Sequence, residues 1–186
     1  VTSPRDESGF TLIELMVVCV LLGIVMTVLG GIFISTLRTQ QTVSSVSTSS
    51  NNAQLAARTL DTRIRNSSEF QLTTPSGSDQ LLVARSASTG ATLSWNCYGW
   101  YYSATNKTLR MTSTADGTKI TAPSATALAS WTLVASGVTP ASGSVFSAAG
   151  SQLTVGFDVA ATNSKSTTIQ FTTAKTTGVA GSNTCF

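Results

Sequence analysis

The sequence predicts an α+β chain, with one long N-terminal helix followed by an antiparallel β-sheet head. Three observations predict it. Residues 10–37 hold a single charged side chain, Glu14, in an otherwise apolar run. Downstream, Val43, Val46, Ser50, Ala53, Ala57, Leu60 and Ile64 recur at steps of three and four, and neither Pro nor Gly interrupts residues 32–74. Beyond Pro75 the apolar period falls to two, clearest in the alternation of Leu153, Val155, Phe157 and Val159.

The apolar run has the length of a membrane span. About 28 residues at about 1.5 Å each reach roughly 42 Å, more than the roughly 30 Å hydrocarbon core. A secretory signal peptide has an apolar core of about 7–15 residues and a small-x-small cut. This run is far longer, and no such site clearly ends it. A plain anchor fits the length but explains neither Glu14 nor the short polar leader, residues 1–9. A charge inside a membrane helix costs about 2.5–3.5 kcal/mol on insertion scales, so such a residue ordinarily has a partner and a task. Gly23, Thr27, Gly31 and Ser35 recur every four residues, which puts four small side chains on one face and lets another helix approach closely.

After Leu37 the chain turns polar, yet the three–four spacing persists to Ile64, as in an amphipathic helix packed on something. Arg58, Arg63 and Arg65, near Asp61 and Glu69, form a solvated helix face in preference to a nucleic-acid strip. One helix of about 55–60 residues is expected, from Phe10 to near Ser67.

In the head, strands are expected at 81–85, 91–102, 107–112, 131–135, 152–160 and 166–173. Short links at 104–106 and 161–165 suggest hairpins. Loops at 74–80, 113–130 and 136–150, rich in Ser, Gly, Thr and Ala, are expected to be exposed. The ring cluster Trp95, Tyr98, Trp100, Tyr101 and Tyr102 has two readings. Alternate members, Trp95 and Tyr101 among them, fill the core around Cys97; or Trp95, Tyr98, Trp100 and Tyr102 offer a binding or subunit interface, since exposed rings stack on sugars or bases.

Of three cysteines, Cys19 lies in the apolar run, which leaves Cys97 with Cys185 as the disulfide pair. That bond would close a loop of about 88 residues, contribute roughly 4 kcal/mol, and place the head outside the cytosol. The chain has no histidine and only 10% charged residues, so His-based metal sites and Ser-His-Asp or Cys-His catalysis are excluded by inventory. No glycine-rich phosphate loop, CxxC or G-x-S-x-G is present, and the carboxylates are scattered. No enzyme, cofactor or metal is expected. The net charge of +3 is too mild for a dedicated duplex-DNA binder, so nucleic acid is not a favoured partner.

The run Gly9-Phe10-Thr11-Leu12-Ile13-Glu14-Leu15 closely resembles the processing and assembly motif of type IV pilin-like proteins. The resemblance implies a type IV pilin-like fold and a division into leader (1–9), transmembrane and assembly half-helix (10–37), amphipathic half-helix (38–67) and extracytoplasmic head (68–186). It implies that a prepilin peptidase cuts after Gly9, that Phe10 is then N-methylated, and that Glu14 approaches the terminal amine of a neighbouring subunit. Partners implied are other pilin subunits, the peptidase and an inner-membrane assembly platform. The chain would begin as a single-pass precursor in the cytoplasmic membrane and end in an extracellular filament or pseudopilus. The leader departs from the family pattern in having one base, Arg5, beside Asp6 and Glu7, with Ser8 before Gly9. The usual mid-helix proline is absent, and Gly30-Gly31 stands nearby. Residues 53–66 resemble the second half of the helix in larger minor pilins and J-type pseudopilins, which favours a minor subunit, with a place in a tip complex, over a major one. A filament-borne adhesin or DNA receptor, and a type II secretion pseudopilin, are the alternatives.

Overall fold

The computed structural model describes residues 11–88, 94–160, 166–176 and 185–186. The chain divides into two compact units, one up to Val43 and one from Ser44 onward. Among the described residues, helix α1 (Leu12–Arg65) supplies the regular structure of the first unit and begins the second. It ends two residues earlier than the period suggested, because Asn66 alone separates it from the first strand.

In the first unit, residues 11–41 are exposed throughout. Threonine hydroxyls there do not stay unpaired. Thr27 donates to the Gly23 carbonyl at 2.8 Å, Thr36 to Ile32 at 2.9 Å and Thr39 to Ser35 at 3.0 Å. Such back-bonding lets hydroxyls sit in an apolar stretch without an unsatisfied donor.

The second unit holds two antiparallel sheets. The first has five strands in sequence order: β1 (Ser67–Thr73), β2 (Gln80–Ala87), β3 (Trp95–Ser103), β4 (Thr108–Ala115) and β5 (Thr132–Ser136). The second is built on β8 (Gln152–Val159). The short strands β6 (Val138–Pro140) and β7 (Phe146–Ala149) share one edge of β8 end to end, and β9 (Thr167–Ala174) takes the other. A five-residue helix α2 (Ala125–Ala129), capped by the Ser124 hydroxyl accepting from Ala127 N, precedes β5.

Both faces of the five-stranded sheet are buried. On one, Leu82, Ala84, Trp100 and Leu109 join Ala53, Leu60 and Ile64 of α1 and Phe146, Leu153, Val155 and Phe157 of the second sheet in one core. On the other, Leu81, Val83, Cys97 and Tyr101 are covered by Ile120, Leu128 and Cys185. The α1 stripe is largely as the spacing suggests, with two differences. Ala56, not Ala57, is the residue buried beside Ala53, and Val43 is exposed.

The loop expectations need correction. Residues 136–150 are not a simple exposed loop, since Val138, Val145 and Phe146 are core residues and two short strands lie there. Residues 113–130 likewise bury Ile120 and Leu128. Three- and four-residue strands set among Ser, Gly and Ala show too little period to be read locally. Strand β1 was hidden for a different reason, since it follows α1 with almost no intervening turn.

Candidate functional site

The candidate site is the start of α1. Thr11 is its N-cap: the hydroxyl accepts from Glu14 N at 3.4 Å, and the Thr11 carbonyl accepts from Glu14 N at 3.0 Å and Leu15 N at 3.2 Å. Thr-x-x-Glu is the pattern of a capping box, and a carboxylate in the first turn suits the positive end of the helix dipole. The cap is legible in the sequence as Thr11-x-x-Glu14, a signal absent from the apolar period that marks the rest of the helix. Glu14 therefore has a local structural use at the start of the helix.

Beyond the cap, α1 is long and apolar enough to cross a membrane, and none of its most apolar window is buried in the chain itself. Leu12, Ile13 and Leu15 expose 78%, 71% and 61% of their surfaces. Apolar surface on that scale requires lipid or other helices around it. Gly23 and Gly31 have open space where a Cβ would stand, and Thr27 and Ser35 are exposed, so among the described residues nothing fills that face. Gly9 and Phe10 lie outside the described residues.

In the head, Cys97 and Cys185 form a disulfide with Cα atoms 5.4 Å apart, and both are fully buried. The Asp116 carboxylate lies near the two sulfurs, but these are already bonded to each other, so the group offers a metal no thiolate. Asp116 instead receives two hydrogen bonds from Arg85, Nε to Oδ1 at 2.7 Å and the terminal nitrogen to Oδ2 at 2.5 Å. This paired hydrogen bond is the main cause that raises the Arg85 pKa. The same guanidinium lies 4.4 Å over the half-buried Trp95 ring.

The exposed-ring reading fails for three of its four residues. Tyr98, Trp100 and Tyr102 are 8%, 1% and 3% exposed and belong to the main core. Tyr98 and Trp100 stack at 6.2 Å, and Arg63 lies 4.3 Å over the Tyr98 ring. Tyr101 faces the opposite side, packed near Cys97 and edge-on to Trp131 at 6.3 Å. Ile120 and Leu128 of the 113–130 segment and the C-terminal cysteine, Cys185, cover this second face. Rings held this way cannot stack on a sugar or a base.

The arginines divide among tasks. Arg65 pairs with Asp61 at 2.8 Å, Arg63 covers Tyr98, and Arg58 is exposed. They do not form one continuous basic strip.

No curated protein and no solved structure is significantly similar to the chain. Residues 4–30 match the family model described as the prokaryotic N-terminal methylation motif, a match that supports a type IV pilin-like protein and falls on the capped start and apolar run of α1.

Proposed function

We propose that this chain is a structural subunit of a type IV pilus or related filament, processed after Gly9, N-methylated at Phe10 and assembled through Glu14. One observation carries the reading: Glu14 is the sole charge in residues 10–37, on the first half of a helix whose apolar surface there is exposed among the described residues. A carboxylate left alone among packed apolar helices is costly, and so is a lone terminal ammonium. Each neutralises the other when one subunit's Phe10 amine meets the next subunit's Glu14. That pairing sets the axial stagger, and the small-residue face at Gly23, Thr27, Gly31 and Ser35 lets neighbouring helices close in. Extraction from the bilayer then exchanges lipid for protein around the same apolar surface.

Within that class we favour a minor subunit of the W/J kind that helps prime the filament tip, on the resemblance of residues 53–66. A secretion pseudopilin shares this N-terminal chemistry. The adhesin and DNA-receptor readings lose their ring platform with the burial of Tyr98, Trp100 and Tyr102.

The test is Glu14→Gln in cells that have the prepilin peptidase. The variant is expected to reach the membrane and be trimmed to an N-methylated Phe10, yet to enter sheared filaments at about a tenth of the wild-type level or less, a tenfold loss being roughly 1.4 kcal/mol. Incorporation at the wild-type level would remove the assembly role of Glu14. Loss of all filaments on deletion, with few copies per filament in the wild type, marks the minor priming role; abundant copies along the shaft would mark a major subunit.

A further inference from the structure

A slot of 380 Å³ lies between the second half of α1 and β9, within the size range of clefts that hold peptides and small ligands. Its strand side is lined by five consecutive residues, 168–172. A cleft on one face of a sheet would be lined by alternate residues, because successive side chains point to opposite faces. Consecutive lining means that the slot follows the edge of the strand. Among the described residues β9 pairs only with β8, so its outer row of backbone donors and acceptors is open along the slot. Such an edge is a template for another strand.

The helix side is one flank of α1, with Ala57, Arg58, Asp61 and Arg65 three or four positions apart. Asp61 already accepts two hydrogen bonds from Arg65 Nε, at 2.8 and 3.0 Å. Arg58 is exposed and, among the described residues, makes no hydrogen bond or ion pair. The slot therefore presents one uncompensated positive charge above an open strand edge and the half-buried Ile169 and Phe171. The Thr176 hydroxyl, donating to the Arg65 carbonyl, ties the far end of β9 to the end of α1.

We propose that this slot receives an extended segment of another protein chain, which adds as a strand to β9 and places a carboxylate against Arg58. Backbone hydrogen bonds supply the affinity, apolar side chains rest on Ile169 and Phe171, and the charge sets the register. The slot lies within the head unit and uses neither Phe10 nor Glu14, so it stands whether or not the chain enters a filament.

The experiment uses the full chain in detergent micelles with two dye-labelled peptides of alternating Thr and Val, one with a central Glu and one with Lys in its place. The Glu peptide is expected to bind about fivefold more tightly, a difference suited to an exposed charge pair. It should also slow amide hydrogen exchange at residues 168–172. Arg58→Glu should reverse the preference, with circular dichroism and the intact disulfide reporting an unchanged fold. Equal binding of the two peptides, or protection that falls elsewhere, overturns the proposal. So does protection of residues 168–172 that rises with protein concentration alone, which would assign the slot to a second copy of this chain.

Discussion

The side chain of Gln80 clasps the first residue of β7 at Phe146 from both directions. Nε2 donates to the Phe146 carbonyl at 2.9 Å, and Oε1 accepts from Phe146 N and Val145 N, both at 2.9 Å. Gln80 opens β2 in the first sheet, and Phe146 opens β7 in the second, so one amide joins the two sheets at a buried point. Its neighbour Asp79 works in parallel, accepting from Tyr101 Oη at 2.6 Å and from Ala104 N at 2.8 Å, which holds the β3–β4 turn.

Gln80→Leu keeps the approximate volume but leaves two buried amide hydrogens and one carbonyl without partners. At about 1–3 kcal/mol for each unsatisfied group, partly relieved by relaxation, the expected loss is about 3 kcal/mol of unfolding free energy. Urea titration followed by tryptophan fluorescence reads it. A change below about 0.5 kcal/mol, the range of ordinary surface substitutions, would show that the clasp contributes nothing.

Reducing the Cys97–Cys185 bond, or replacing both residues by Ser, should destabilise the head. The separation of 88 residues predicts about 4 kcal/mol from loop closure. The C-terminal end also donates structure, since the Cys185 carbonyl accepts from Ile120 N at 2.9 Å over the second core. Thermal unfolding with and without reductant measures this, and the double Ser variant should lose its sensitivity to reductant.

Tyr101 makes stability fall at high pH. Burial first, then donation to Asp79 and the negative charge of that carboxylate, push the Tyr101 pKa from 10.0 up to about 12. The folded chain thus prefers the protonated phenol. Its contribution is whole below pH 10, where the unfolded phenol also keeps its proton. It declines as the pH rises toward 12 and is gone above that. Tyr101→Phe should flatten the decline over this window. Some slope should persist, because burial and Asp79 raise Tyr102 as well. An unaltered slope in the Phe variant would contradict the assignment.

Gly99 sits in β3 where Ile120 crosses the sheet. A Cβ built there would lie 2.8 Å from Ile120 Cγ2 and 3.5 Å from Thr112 Cγ2. Gly99→Ala is therefore expected to cost about 1–3 kcal/mol as an overpacked core substitution. In an Ile120→Ala background the same change should cost much less, a coupling that a double-mutant cycle measures. Additive effects would show that Ile120 is not the obstacle.

The N-terminal half was legible because its determinants are local. The gap in charge around Glu14, the four-residue spacing of Gly23, Thr27, Gly31 and Ser35, and the stripe ending in Ala53, Leu60 and Ile64 each need only a few turns of helix. The pairing of Cys97 with Cys185 was also legible, since composition removed Cys19. Strands β2, β3, β4, β5, β8 and β9 were recognisable by period and β propensity, although their ends shifted by a few residues.

Tertiary contacts decided the rest of the head. The sequence alone established a membrane-length helix with a single acid near its start, because hydropathy and helical period belong to the chain itself. It could not assign Tyr98, Trp100 and Tyr102 to the core, since that required residues from α1 and a second sheet to close over one face. Nor could it reveal Gln80, a polar residue in what read as a loop, as the clasp on a strand 66 positions away. Burial and long-range hydrogen bonding depend on which surfaces meet, and only the folded chain brings those surfaces together.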